Sequence, residues 1–185
     1  MIIIMKYIVL LRGVNISGKN KISMKELKLE LEQHECQNVS TYLNSGNIIF
    51  DSDNYNEELI VKDISKIIKD KFNLNIPIFI MKYNYLKDLL NNSPIWWGTA
   101  DKSIYDNIIF IIPPTKSIEV YQSLGKEKEN IEKSKEYKNS IFWSYSLKDY
   151  RKSNWWSKTA STSIKDEITI RTANTMKKIL ELCQK

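Results

Sequence analysis

The chain has 185 residues, of which 42% are hydrophobic and 27% charged, with five glycines and four prolines. That length supports one sizeable core or two small ones, and the composition excludes a disordered or fibrous chain. The formal charge of +6 favours anionic partners. Basic and acidic residues are interspersed, however, as on an ordinary solvated surface.

Cys36 and Cys183 have no metal-ligand spacing and form no disulfide framework, so a reducing cytoplasm is the expected location. With one histidine besides, neither a metal nor another cofactor is expected. The apolar start "MIIIMKYIVLL" is broken by Lys6 and has no cleavage-site pattern. No later run approaches the about 18 apolar residues of a membrane span, so no membrane partner is expected.

The first half alternates between strand and helix patterns. A strand around Ile3–Leu11 leads through a glycine loop to Ser23, which with Glu26 forms a capping box. The helix it opens places Met24, Leu27 and Leu31 on one face. "NVSTYLNSGNIIF" then reads as two strands around Asn44-Ser45-Gly46-Asn47, a tight hairpin. A helix over about Glu57–Phe72 turns Ile60, Ile64, Ile67 and Ile68 inward. "IPIFIMK" follows as an edge strand, because Pro77 cannot donate to a central ladder.

The second half repeats the order more loosely. "NIIFIIPP" reads as a central strand, and Thr115 as the cap of a helix ending at Gly125. "KEKENIEKSKEYKN" fits an edge strand or a loop. "SIFWSYS" is a strand, a helical stretch follows from Leu147, "EITIR" is a strand, and Asn174–Gln184 is an amphipathic helix. The expected fold class is α+β, two tandem ferredoxin-like (βαββαβ) plaits. Residues 1–82 form the first, 83–105 a linker with a helix, and 106–185 a plait-like second domain with a terminal helix.

Gly13, Gly18 and Lys19 reproduce GxxxxGK, the front of a phosphate-binding P-loop. A P-loop then needs Ser or Thr for magnesium and a helix beginning at once. Here Asn20 follows Lys19, the best cap is Ser23, and the next strands form an antiparallel hairpin. A nucleotide-hydrolysing P-loop is therefore not expected. Two readings of the Gly13–Lys21 loop stand: an anion-binding nest ringed by Arg12, Lys19 and Lys21, or a solvated connection.

Arg12, Arg151 and Arg171 are the only arginines among many lysines. Arg12 and Arg171 each leave a strand in an Arg-x-x-Asn context, with Asn15 and Asn174. Either they converge on an anion through the planar guanidinium, or each ties a loop to its own domain.

"YIVLLRGVNISGKNKISMKELK", "NVSTYLNSGNIIF" and "TIRTANTMKKILEL" resemble the signature blocks of a bacterial family, domain of unknown function 1697. The resemblance implies a pair of α/β plaits and no established activity, so it brings no catalytic residues. Arg12, Gly13, Asn15, Gly18, Lys19, Asn20, Ser45, Gly46, Asn47, Arg171, Asn174 and Thr175 fall on its motif positions. This chain departs with Ser17 where a second glycine is common, and with Thr172-Ala173 in place of a usual Asn-Trp pair.

Other candidates are plainer. His34 lies near a helix end beside Cys36, but residues so spaced on a helix do not face each other. A dipole role suits His34 better. Trp96-Trp97 and Trp155-Trp156 suit core packing better than base stacking. No catalytic constellation is recognisable, and nothing in the pattern fixes an oligomeric state.

The leading expectation is non-catalytic binding of an anionic ligand, nucleic acid or a nucleotide, at the Gly13–Lys21 loop. The contacts would be Arg12, Asn15, Gly18, Lys19, Asn20, Ser45, Asn47, Arg171 and Asn174. The alternatives are an enzyme acting on a small phosphorylated or carboxylated metabolite and a protein–protein assembly module.

Overall fold

The computed structural model describes residues 4–34 and 36–184. The expected start of the first strand at Ile3 lies outside the described residues. The chain divides into two units. One runs to Lys87 and takes in the chain again from Ile179, and the other spans Asp88–Lys178. The described residues form an α+β architecture with two four-stranded antiparallel sheets and six α-helices.

In the N-terminal unit the elements are β1 (Met5–Leu11), α1 (Met24–Glu32), β2 (Gln37–Tyr42), β3 (Asn47–Ser52), α2 (Glu57–Phe72) and β4 (Ile78–Lys82), followed by α3 (Tyr83–Asn91), in which the units divide. The sheet order is β2-β3-β1-β4, with Tyr7 opposite Phe50 and Val9 opposite Ile80. β4 is an edge strand, as expected, with Pro77 just before it, and the Pro77 carbonyl accepts from the Arg12 amide at 2.9 Å.

Successive side chains of β1 alternate between the faces of the sheet. Tyr7, Val9 and Leu11 join Ile48 and Phe50 in a core closed by Leu27 and Leu31 of α1 and by Ile60, Ile64 and Ile68 of α2. Ile8 and Leu10 on the other face are equally buried. Burial on both faces is why residues 7–11 of this strand read as an unbroken apolar run. The caps are local: Ser23 Oγ accepts from the Glu26 amide at 3.3 Å, and Asn56 Oδ1 accepts from the Glu58 and Leu59 amides.

The C-terminal unit contains β5 (Ile104–Ile111), α4 (Ser117–Leu124), β6 (Glu132–Tyr137), β7 (Ser140–Ser146), α5 (Asn154–Ser161) and β8 (Ile168–Thr172), in the order β6-β7-β5-β8. The final helix, α6 (Ala173–Cys183), begins in this unit and ends in the other. Ile109, Ile111, Ile141, Trp143 and Ile168 pack with Val120, Leu124 and Trp155.

Two local expectations are corrected and one open alternative is resolved. Thr115 does not cap α4. Lys116 precedes that helix, its amide donates to Glu119 Oε2 at 2.7 Å, and Thr115 Oγ1 donates to Glu167 instead. The helix expected from Leu147 is a short 3-10 turn at Tyr150–Lys152, and α5 starts only after Ser153. There Ser153 Oγ accepts the Trp155 and Trp156 amides. The charged segment before β7 contains a strand, β6, at the sheet edge, with Lys133, Lys135 and Glu136 exposed.

Candidate functional site: a basic loop clamped to a hairpin turn

The stretch between β1 and α1 is a closed hairpin, not an extended loop. Asn15 donates its amide to the Asn20 carbonyl at 3.1 Å, and Lys19 donates to the Ile16 carbonyl at 2.9 Å. Between them Ser17 (φ 49°) and Gly18 (φ 76°) both adopt left-handed backbone, as a type I′ turn requires. Gly13, Asn15 and Asn20 also have positive φ, which Gly and Asn tolerate better than other residues.

The Asn15 side chain fixes this loop in two directions. Its Oδ1 accepts from the Ile22 amide at 2.9 Å, and its Nδ2 donates to the Ile22 and Asn44 carbonyls at 2.9 and 2.8 Å. The Asn44 bond reaches the β2–β3 turn. A second tie joins the Leu11 amide to the Gly46 carbonyl at 2.8 Å. Asn20 Nδ2 closes the loop onto the Gly13 carbonyl at 3.0 Å. Two segments far apart in the sequence therefore meet at one corner of the N-terminal unit.

The geometry is not that of a P-loop. The amides of Asn15, Lys19 and Ile22 are used inside the loop, and α1 begins at Met24, five residues beyond Lys19. What the corner offers outward is charge. Arg12, Lys19, Lys21 and Lys25 are four cations in a stretch with no acid, and the turn Tyr42–Asn47 adds none. Lys19 and Lys21 are exposed, and among the described residues no ion pair joins either to an acid. Arg12 is half-buried at the rim.

The other expected contacts divide between the two units. Ser45 and Asn47 belong to the same corner, but Asn47 is fully buried. Its Nδ2 donates to the Tyr42 carbonyl and to Ser45 Oγ, so it shapes the turn. Arg171 lies in the C-terminal unit, 8% exposed, with Nη1 donating to Thr169 Oγ1 and to the Ile170 carbonyl, each at 2.9 Å. Asn174 is exposed in the first turn of α6.

His34 Nδ1 lies 2.7 Å from the Glu30 carbonyl at the end of α1, in keeping with a helix-terminal role. Trp97 and Trp155 are buried. Their indole N–H groups donate to the Asn107 and Gly125 carbonyls, and Trp97 meets Phe142 edge-on at 5.0 Å. These two are packing residues, whereas Trp156 is 43% exposed against Tyr150.

Sequence reasoning passed over Glu132, a buried carboxylate on β6. It accepts from the Lys128 and Asn154 amides, from Ser153 Oγ and from Trp143 Nε1, so it anchors the start of α5. Its only sequence signal was an acid inside a charged run. A cleft of about 700 Å³ in the N-terminal unit, floored by Phe50, Ile60, Ile64 and Ile67, contains none of the loop residues. Among the described residues no cluster of His, Cys, Asp and Glu could hold a metal ion. Nor is any helix among them long and apolar enough to cross a membrane.

Two tandem α/β units, the first carrying a clamped basic loop, define the class. The family model described as "Protein of unknown function (DUF1697)" matches residues 4–142, and the chain belongs to that family. A solved structure, described as that of the conserved bacterial protein SP0830 from Streptococcus pneumoniae, is similar to it with a TM-score of 0.85 and 26% identity. The alignment covers 97% of this chain and 98% of that one. No curated protein matches the chain.

Proposed function

We propose that the protein is a non-catalytic, cytoplasmic nucleic-acid-binding protein of bacterial type, built from two ferredoxin-like plaits, and that the corner formed by residues 12–25 and 42–47 is its binding surface. The plait assignment is supported by the strand order β2-β3-β1-β4 and its repeat in the second sheet. The cytoplasmic assignment is supported by two cysteines that form no disulfide.

One observation carries the binding reading: three cations, Arg12, Lys19 and Lys21, and no acid occupy a loop held rigid by Asn15 and Asn20, and Lys25 follows in the first turn of α1. Phosphates attract such a patch, and a loop already fixed loses little entropy on binding. An extended polyanion suits this corner better than a small metabolite, because loop residues 16–21 are exposed rather than set in a cavity. Lys19, Lys21 and Arg12 would contact phosphates, with Gly18 and Asn20 shaping the approach.

The test is fluorescence anisotropy of a labelled DNA oligonucleotide with wild type and a Lys19→Ala/Lys21→Ala double variant. The double variant should bind about tenfold more weakly at low salt and melt at the wild-type temperature, since both side chains are exposed. Equal affinity of the two proteins contradicts the proposal. So does stabilisation by a small phosphorylated metabolite without oligonucleotide binding.

A further inference from the structure

The same corner carries two side chains that charge does not explain. Ile16, in the loop's turn, is 58% exposed, and Leu43, in the hairpin turn, is 54% exposed. The 2.8 Å bond from Asn15 Nδ2 to the Asn44 carbonyl joins the residues next to them in sequence. Ile16 also bridges to Lys19, so aliphatic and cationic groups share one small surface.

Leu43 is unusual in its backbone as well. It holds φ at 58°, a strained conformation for a side chain of that bulk. More than half of the residue nonetheless faces water.

Resting on the reading of this corner as a polyanion site, we infer that it takes unpaired nucleic acid in preference to duplex. Ile16 and Leu43 cover exposed base faces while Lys19 and Lys21 hold the flanking phosphates. Stacking hides base faces within a duplex, whereas a single strand leaves them available to apolar side chains. Covering a base face removes aliphatic and base surface from water together. Two isolated aliphatic side chains on a loop fall short of a membrane anchor, which needs a broad apolar face.

Anisotropy with a labelled single-stranded DNA oligonucleotide and its duplex tests this on wild type, Ile16→Ser, Leu43→Asn and the Lys19→Ala/Lys21→Ala protein. Wild type should prefer the single strand. Each aliphatic replacement should weaken single-strand binding about three- to tenfold and leave duplex binding unchanged. Leu43→Asn should do so without lowering the melting temperature, because Asn accepts the left-handed backbone.

If the lysine variant loses binding but Ile16→Ser and Leu43→Asn bind like wild type, the polyanion reading stands and this inference falls. If the lysine variant also binds like wild type, both fall. Binding to phosphatidylserine vesicles with none to either oligonucleotide likewise overturns both.

Discussion

Gly46 shows how much of the corner depends on one missing methyl group. A Cβ there would lie 2.6 Å from Leu11 Cβ and 2.8 Å from Val14 Cγ2, and φ is 80°. Both atoms belong to the segment that enters the basic loop, so the hairpin turn can approach it only with glycine at this position. Gly46→Ala should cost about 2–4 kcal/mol through overpacking and backbone strain together, read as a lower urea midpoint; an unchanged midpoint would contradict this packing. The two cysteines differ in the same local way. Burial pushes the Cys183 thiol up to about 11, with Lys6 opposing and Asp51 reinforcing the shift, whereas Cys36 is half-buried. Thiolate is the reactive form, so alkylation of the folded protein near pH 8, followed by mass spectrometry, should label Cys36 well before Cys183. Equal labelling rates would show that Cys183 is not enclosed as described.

At the scale of elements, Asp88 ties α3 to the β6–β7 hairpin. Its carboxylate accepts from Lys138 Nζ at 2.6 Å and from the Tyr137 hydroxyl at 2.9 Å. The hydrogen bond from Lys138, and then that from Tyr137, holds the Asp88 carboxyl below its ordinary 3.8. A depressed carboxylate contributes stability above its unfolded pKa and loses it as pH falls through the folded one. Wild type should therefore exceed Asp88→Asn in urea midpoint at pH 7, and the gap should close as pH is taken below 3.8. A gap independent of pH would mean that the ionised carboxylate contributes nothing.

The elements also show what could be read from sequence and why. α2 was legible because Ile60, Ile64, Ile67 and Ile68 recur at helical spacing. β6 was ambiguous because an edge strand keeps most of its side chains in water, and only Glu132 is buried. α5 starts later than expected because it buries only Trp155 and Thr159, too few to show a period. The glycines and asparagines marked the basic loop in advance. Its clamp to Asn44 was not legible, since a bond across 29 residues leaves no local pattern. Leu43 escaped notice because a bulky residue at positive φ breaks the turn preferences on which such reading relies.

The whole molecule repeats one plan. Both sheets place the first strand of the unit beside the third and the fourth, and both fourth strands run directly into a helix, at Tyr83 and at Ala173. The repeat does not extend to the charge pattern. In the first unit the connection after the first strand carries Lys19 and Lys21, whereas the corresponding segment after β5 is Ile112-Pro113-Pro114-Thr115 with one following lysine. A similar scaffold thus carries a basic loop in one half only, and binding should follow that half. The most direct test is the salt dependence of single-stranded DNA affinity. The three cations proposed to contact phosphates, Arg12, Lys19 and Lys21, predict a slope of log K against log salt of about −2. Lys19→Ala/Lys21→Ala should reduce it to about −0.7. A slope that the double variant leaves unchanged, or no binding at low salt, would contradict the account.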